Sequence, residues 1–148
     1  MKAGTVNFEY NIELITSDHN TGEILDKSEI HNAIVDDGLE HIAKLINGVS
    51  AVPFVSIAIG TDDTAVQVTD SALGEEVAKE TATATYEASN KAKWSYKFVF
   101  GSGEDYTITE VGVFAGTVML NRALDAGKVV DADTDLTVNV VLTVSRAV

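Results

Sequence analysis

The sequence has no cysteine. Disulfides, thiolate nucleophiles and cysteine-ligated zinc or iron–sulfur clusters are therefore excluded together. There is one proline, Pro53, and no apolar run of the roughly 18 residues needed to span a bilayer. The opening residues, Met1-Lys2-Ala3-Gly4-Thr5-Val6, lack the apolar stretch of a secretory signal, so synthesis and use in a cytoplasm, or release by lysis, are expected. Basic residues are scarce: 10 against 23 acidic ones in 148, a formal net charge of −13. Such a surface repels phosphate backbones and anionic lipid, so neither nucleic acid nor membrane is expected as a partner. The same charge keeps chains soluble before assembly and attracts basic patches.

The usual signatures of catalysis are missing too. There is no Gly-x-Ser-x-Gly elbow and no Gly-Lys-Ser/Thr phosphate loop. His19, His31 and His41 form no His-x-x-x-His pair. His19 is expected in a turn, His31 near a strand end and His41 on the polar side of a helix. No set of carboxylates stands out among the 23 acids as a catalytic pair. Neither an enzyme nor a cofactor is expected. Asp131, Asp133 and Asp135 alternate like the start of a calcium loop. However, Leu136 and Leu142 occupy the positions where an EF-hand needs glycine and a bidentate glutamate. No metal site is expected. A looser calcium site on these three is the nearest approach to one, and the plainer reading is a turn whose aspartates bond their own backbone.

What is present is a succession of β patterns. Val6, Phe8, Tyr10, Ile12 and Leu14 alternate with polar residues, the mark of a half-buried antiparallel strand. Ser17 to Gly22 is a turn cluster, and a second strand runs from Glu23 to about His31. Asp36-Asp37-Gly38 opens a helix of about residues 37–47, with Asp36 or Asp37 as its cap. Its apolar stripe is Leu39, Ile42, Ala43 and Ile46, and Asn47-Gly48 stops it. Phe54–Ile59 is a short buried strand. Val77–Ala88 is read as one strand, whose small residues at Thr81–Thr85 allow close approach of another sheet or subunit.

Trp94, Tyr96, Phe98 and Phe100 share one face of the next strand. They suit a core, or an aromatic platform for sugars or bases. Strands at Tyr106–Ala115, Val118–Leu124 and Leu136–Ser145 follow. Seven or eight strands and one short helix predict a single mainly-β domain over residues 1–148, an antiparallel β-sandwich or jelly-roll-like barrel.

Several words occur in a fixed order: Ile57-Ala58-Ile59-Gly60-Thr61, then Ser71-Ala72-Leu73-Gly74-Glu75-Glu76-Val77, then Thr107-Ile108-Thr109-Glu110-Val111-Gly112-Val113-Phe114, then Met119-Leu120-Asn121-Arg122, then Asp135-Leu136-Thr137-Val138. With Thr21-Gly22-Glu23 and His31–Leu39 upstream, this series resembles a family of small tailed-bacteriophage virion proteins of the head-decoration, tail and fibre-attachment type. The resemblance spans about residues 20–146. One departure is Asp62-Asp63, where such loops often continue Gly-Thr after Gly60-Thr61.

The resemblance implies a non-enzymatic structural role on a virion made in a host bacterial cytoplasm. A capsid decoration protein stabilising the head is the first expectation. The alternatives are a tail-tip, baseplate or fibre-attachment module and, from the aromatic row, a carbohydrate-binding module. Other virion proteins (the major capsid protein or tail proteins) and further copies of the chain are the implied partners. The candidate interface residues are Val6, Phe8 and Tyr10 on an N-terminal arm, Thr81, Thr83 and Thr85, and Glu110. Glu110, in an otherwise apolar strand, needs a hydrogen-bond partner in a loop or a neighbouring chain, unless it points outward from an edge. Gly112 implies a bulge or a close backbone approach.

Overall fold

Residues 4–31 and 33–147 are described by a computed structural model. Along them run β1 (Val6–Asp18), β2 (Ile24–Ile30), α1 (Asp36–Ile46), β3 (Ser56–Gly60), β4 (Glu76–Thr81), β5 (Thr83–Glu87), β6 (Lys91–Phe98), β7 (Tyr106–Ala115), β8 (Val118–Val130) and β9 (Thr134–Arg146). The strands form two antiparallel sheets, ordered β2-β1-β9-β6-β5 and β4-β3-β7-β8. The fold is an antiparallel β-sandwich with one short helix.

Period-two alternation builds the core. From the five-stranded sheet, Ile12, Leu14, Leu136, Val138 and Val140 are fully buried. They pack in one cluster with Ile57, Ile59, Val111, Val113 and Leu120 of the other sheet. Trp94, Phe98 and Phe100 are buried in that cluster and Tyr96 lies half-buried against it, so the aromatic row is core. The Trp94 indole N–H donates to the Phe54 carbonyl at 2.7 Å.

The strand expected from Val77 to Ala88 is two strands. β4 belongs to one sheet and β5 to the other, and the chain crosses between them at Ala82. Ala82 is buried and its N–H donates to Val55 O at 2.7 Å. The small residues there let the chain turn the corner rather than receive a second sheet.

The helix is rotated from its expected orientation. Gly38 and His41 are buried and Ile42 and Leu45 half-buried, while Leu39, Ala43 and Ile46 face solvent. Gly38 causes this. A Cβ there would meet Leu120 O at 2.5 Å and Ile34 Cγ2 at 2.9 Å, so only glycine lets the helix lie this close to β8. His41 is therefore not on the polar side. Its Nε2 donates to Val52 O at 2.7 Å, and its ring meets Phe54 edge-on at 5.1 Å. The cap residue is Val35, in extended geometry with no side-chain cap hydrogen bond. Asp36 and Asp37 instead occupy the first turn, where their charge favours the positive end of the helix dipole.

Candidate functional site

Glu110 is fully buried in β7, opposite Gly60 of β3 and Leu124 of β8. A Cβ at position 60 would collide with Glu110 Oε2 and with the Glu75 carbonyl, so the glycine makes room for the carboxylate. Glu110 Oε1 accepts from the Gly74 N–H at 2.8 Å and from Arg122 Nε at 2.8 Å. Its Oε2 accepts from the N–H groups of Asp62 at 3.1 Å and Glu75 at 2.7 Å. A carboxylate offers about four lone-pair directions, and four donors take them. The partner that Glu110 needed is a loop and an arginine of its own chain. It is an internal residue, not an interface residue.

Arg122, in β8, is itself buried. Its Nη1 donates to Thr64 O at 2.9 Å and Asp70 Oδ2 at 3.3 Å, and its Nη2 reaches Asp62 O at 3.5 Å. Burial opposes the guanidinium charge, but Glu110 and Asp70 outweigh it and raise the pKa above the ordinary arginine value. Asp62 accepts from the hydroxyl and N–H of Thr64 at 2.7 and 2.8 Å, which holds its carboxyl below the usual range. The aspartate that departs from Gly-Thr-Gly-Thr thus shapes its own turn. The Thr109 hydroxyl also donates to Asp62 O at 3.0 Å.

The separate sequence words therefore meet in one place. Gly60 and Thr61, Gly74 and Glu75, Glu110, and Arg122 strap the loop 61–75 onto β7 and β8. Gly112 belongs to the same region: a Cβ there would lie 2.9 Å from Asn121 O, the close approach its sequence position implied. With its oxygens committed to donors, Glu110 acts as a clasp for the loop.

A second charged cluster joins the two sheets. Lys128 of β8 is buried, with Nζ 3.0 Å from Asp125 Oδ2 and 3.3 Å from Asp26 Oδ2 of β2. Asp125 also accepts from the Ser28 hydroxyl of β2 and from the Gly127 N–H at 2.9 Å. Burial pushes the Asp125 carboxyl up, but Ser28, Gly127 and Lys128 together hold it below the ordinary aspartate value.

A carboxyl depressed in the folded state binds fewer protons there than in the unfolded chain, so its contribution grows with pH. It is fully present above the unfolded value of about 4 and lost as pH falls through the lower folded value. The stability gap between wild type and Asp125→Asn should therefore shrink on acidification below about pH 4. Urea titrations across pH would show this, and a gap unchanged by acid would refute it.

The remaining candidates are dispersed. Asp131 accepts from the Asp133 N–H at 2.9 Å, the turn geometry. Asp135 is buried beneath His19 Nδ1 at 2.8 Å and Lys97 Nζ at 3.4 Å. Among the described residues, no three histidine or acidic side chains are placed to hold a metal ion. Tyr10 is buried in the core, whereas Val6 and Phe8 on the same face are exposed. Thr81 ends β4 and Thr83 and Thr85 lie on β5, all exposed.

One feature was not anticipated, the apolar surface at α1. Leu39, Ala43 and Ile46 form an outward stripe, with Ile46 81% exposed. Val49 and Val52 are exposed in the chain that follows. Val68 is exposed beside the first turn, where the Asp36 N–H donates to Val68 O at 2.8 Å. The spacing was visible in the sequence, but its direction was not. No helix among the described residues is long and apolar enough to cross a membrane. No protein-family model, curated protein or solved structure matches the chain.

Proposed function

We propose that this chain is a non-enzymatic assembly protein of a tailed-phage particle, with capsid decoration as its first role. The observation that carries this reading is the outward apolar stripe of α1 on a chain of net charge −13. Exposed apolar side chains grouped on one helix face, here Leu39, Ala43 and Ile46, mark a protein-binding face. The ordered words from Ile57 to Val138 supply the phage part of the proposal, through the resemblance. The clasped loop 61–75 meets this face at the first turn of α1, where the Asp36 N–H donates to Val68 O at 2.8 Å. A tail-tip, baseplate or fibre-attachment position would use the same face, and copy number per particle separates it from the head. The aromatic row, being core, gives the carbohydrate reading no stacking platform.

The test is a binding assay on particles that lack the protein. Leu39→Lys with Ile46→Lys changes only exposed side chains, so the melting temperature should stay within a few degrees of wild type. Binding should fall by about tenfold or more, the scale of losing central apolar anchors. Wild-type protein that binds no particle, or a double variant that binds undiminished, would overturn the proposal.

A further inference from the structure

A groove of about 470 Å³ runs along β1, lined by Phe8, Tyr10, Asn11, His31 and Val141 among others. Beside it, β2 is shorter than β1. β1 pairs with β9 along its whole length, from Val6↔Arg146 to Asp18↔Thr134. β2 begins its pairing only at Ile12↔Ile30. Among the described residues, 6–11 thus have a ladder on one edge and no strand on the other. His31 Nδ1 donates to the Tyr10 carbonyl at 2.9 Å on that edge. Because backbone groups alternate sides along a strand, Val6 and Phe8 turn their N–H and C=O to the same edge.

Natural edge strands are normally protected by lysine, proline, bulges or shortness. Here β2 carries Asp26, Lys27 and Glu29 and a bulge lies opposite it at Thr16/Ser17, while β5, at the far edge, is only five residues long. The open segment Val6–Asn11 has no lysine, no proline and no bulge; its one charge is Glu9, and His31 covers only the Tyr10 carbonyl. Its register with β9 is unbroken, and Val6 and Phe8 are 49% and 37% exposed.

We infer that this edge is the seam of a two-fold dimer: β1 of a second copy adds antiparallel, centred on Phe8, and fuses two five-stranded sheets into one. The register argues for a second copy rather than an unrelated strand. Centring on Phe8 sets Val6 opposite the partner's Tyr10 and Asn7 opposite the partner's Glu9. Apolar groups then meet on one face and no like charges meet on the other. The pair at Phe8 is a hydrogen-bonded one, as the direction of its backbone groups requires. The partner's Val6 lies opposite Tyr10, so the added strand begins just short of Ile30, where β2 takes over. Moving the centre to Glu9 would set two carboxylates face to face and drive the partner's Val6 into the place of Ile30. The seam is independent of the α1 face and does not depend on a phage role.

The experiment is a mass measurement on the full chain by light scattering and sedimentation. Wild type should show twice 15.7 kDa. Phe8→Lys sets two ammonium groups on the dyad and should give the monomer mass with an unchanged far-UV spectrum. The Val6 and Phe8 amides should be protected from hydrogen exchange in wild type and lose that protection in the variant.

The sequence has no cysteine, so Phe8→Cys supplies a lone thiol. A hydrogen-bonded pair places Cα atoms about 5.5 Å apart, within disulfide range. Mild oxidation should therefore yield a covalent dimer, while Tyr86→Cys on the far edge should not. A monomeric wild type would overturn the inference. So would a dimer that survives Phe8→Lys, or one that cross-links at position 86 and not at position 8.

Discussion

Arg122→Ala is expected to cost about 3–5 kcal/mol of folding stability, the usual consequence of leaving a buried charge without its partner. Glu110 is fully buried and would keep only its three backbone N–H donors. The carbonyl of Thr64 and the carboxylate of Asp70 would lose the donor that faces them. A domain of this size has about 5–15 kcal/mol in total, so the variant should be close to unfolding at 37 °C. Arg122→Lys should recover little. One ammonium group cannot occupy the positions of both Nε and Nη1, which bond different partners in a fixed planar fork. Because the loss acts through loop 61–75, proteolysis in that loop should rise before global unfolding. Chemical denaturation checks the magnitude, and a loss under about 1 kcal/mol would mean that Glu110 finds compensation elsewhere.

The role of Glu110 was half legible. An acid in an otherwise apolar strand is either buried with donors or turned outward from an edge, and a buried charge requires donors. The identity of those donors was not legible. Arg122 lies twelve residues away, and Gly74 and Glu75 lie across a loop; only the pairing of β7 with β8 and β3 brings them together. Local pattern reports which groups need partners, whereas long-range register decides which ones they find.

The same distinction explains the other outcomes. β9 was readable from Leu136 to Leu142, where alternation and burial share a period of two, but Thr134 and the buried Asp135, expected in the turn before it, belong to the strand. β1 was readable only from Tyr10 onward. Val6 and Phe8 continue the alternation but are half-exposed, because no facing strand among the described residues covers that end. In α1 the apolar stripe was real and its direction was wrong. Periodicity locates a stripe but cannot see that Gly38, by lacking a side chain, lets the opposite side of the helix approach β8. Nor could β propensity reveal that Thr81 and Thr83 belong to different sheets, since each sheet asks for the same kind of residue.

Trp94→Ala is expected to destabilise the protein by about 3–5 kcal/mol, as truncation of a buried tryptophan does elsewhere. Two effects combine. A cavity opens between β6 and the facing sheet, and the Phe54 carbonyl loses the indole N–H at 2.7 Å. Trp94→Phe separates them: it keeps an aromatic ring and removes the donor, and about 1 kcal/mol of the loss should trace to the hydrogen bond. The consequence extends beyond the core. The Phe54 ring packs on His41, and His41 in turn donates to Val52 O, so this chain of contacts holds the exit of α1 in place. Val49 and Val52 lie in the segment so held and contribute to the exposed apolar face. At a temperature where Trp94→Phe is still folded, it should weaken the proposed particle binding while leaving every exposed side chain unchanged. Loss of stability with undiminished binding would show that the α1 face is oriented by Gly38 against β8 alone.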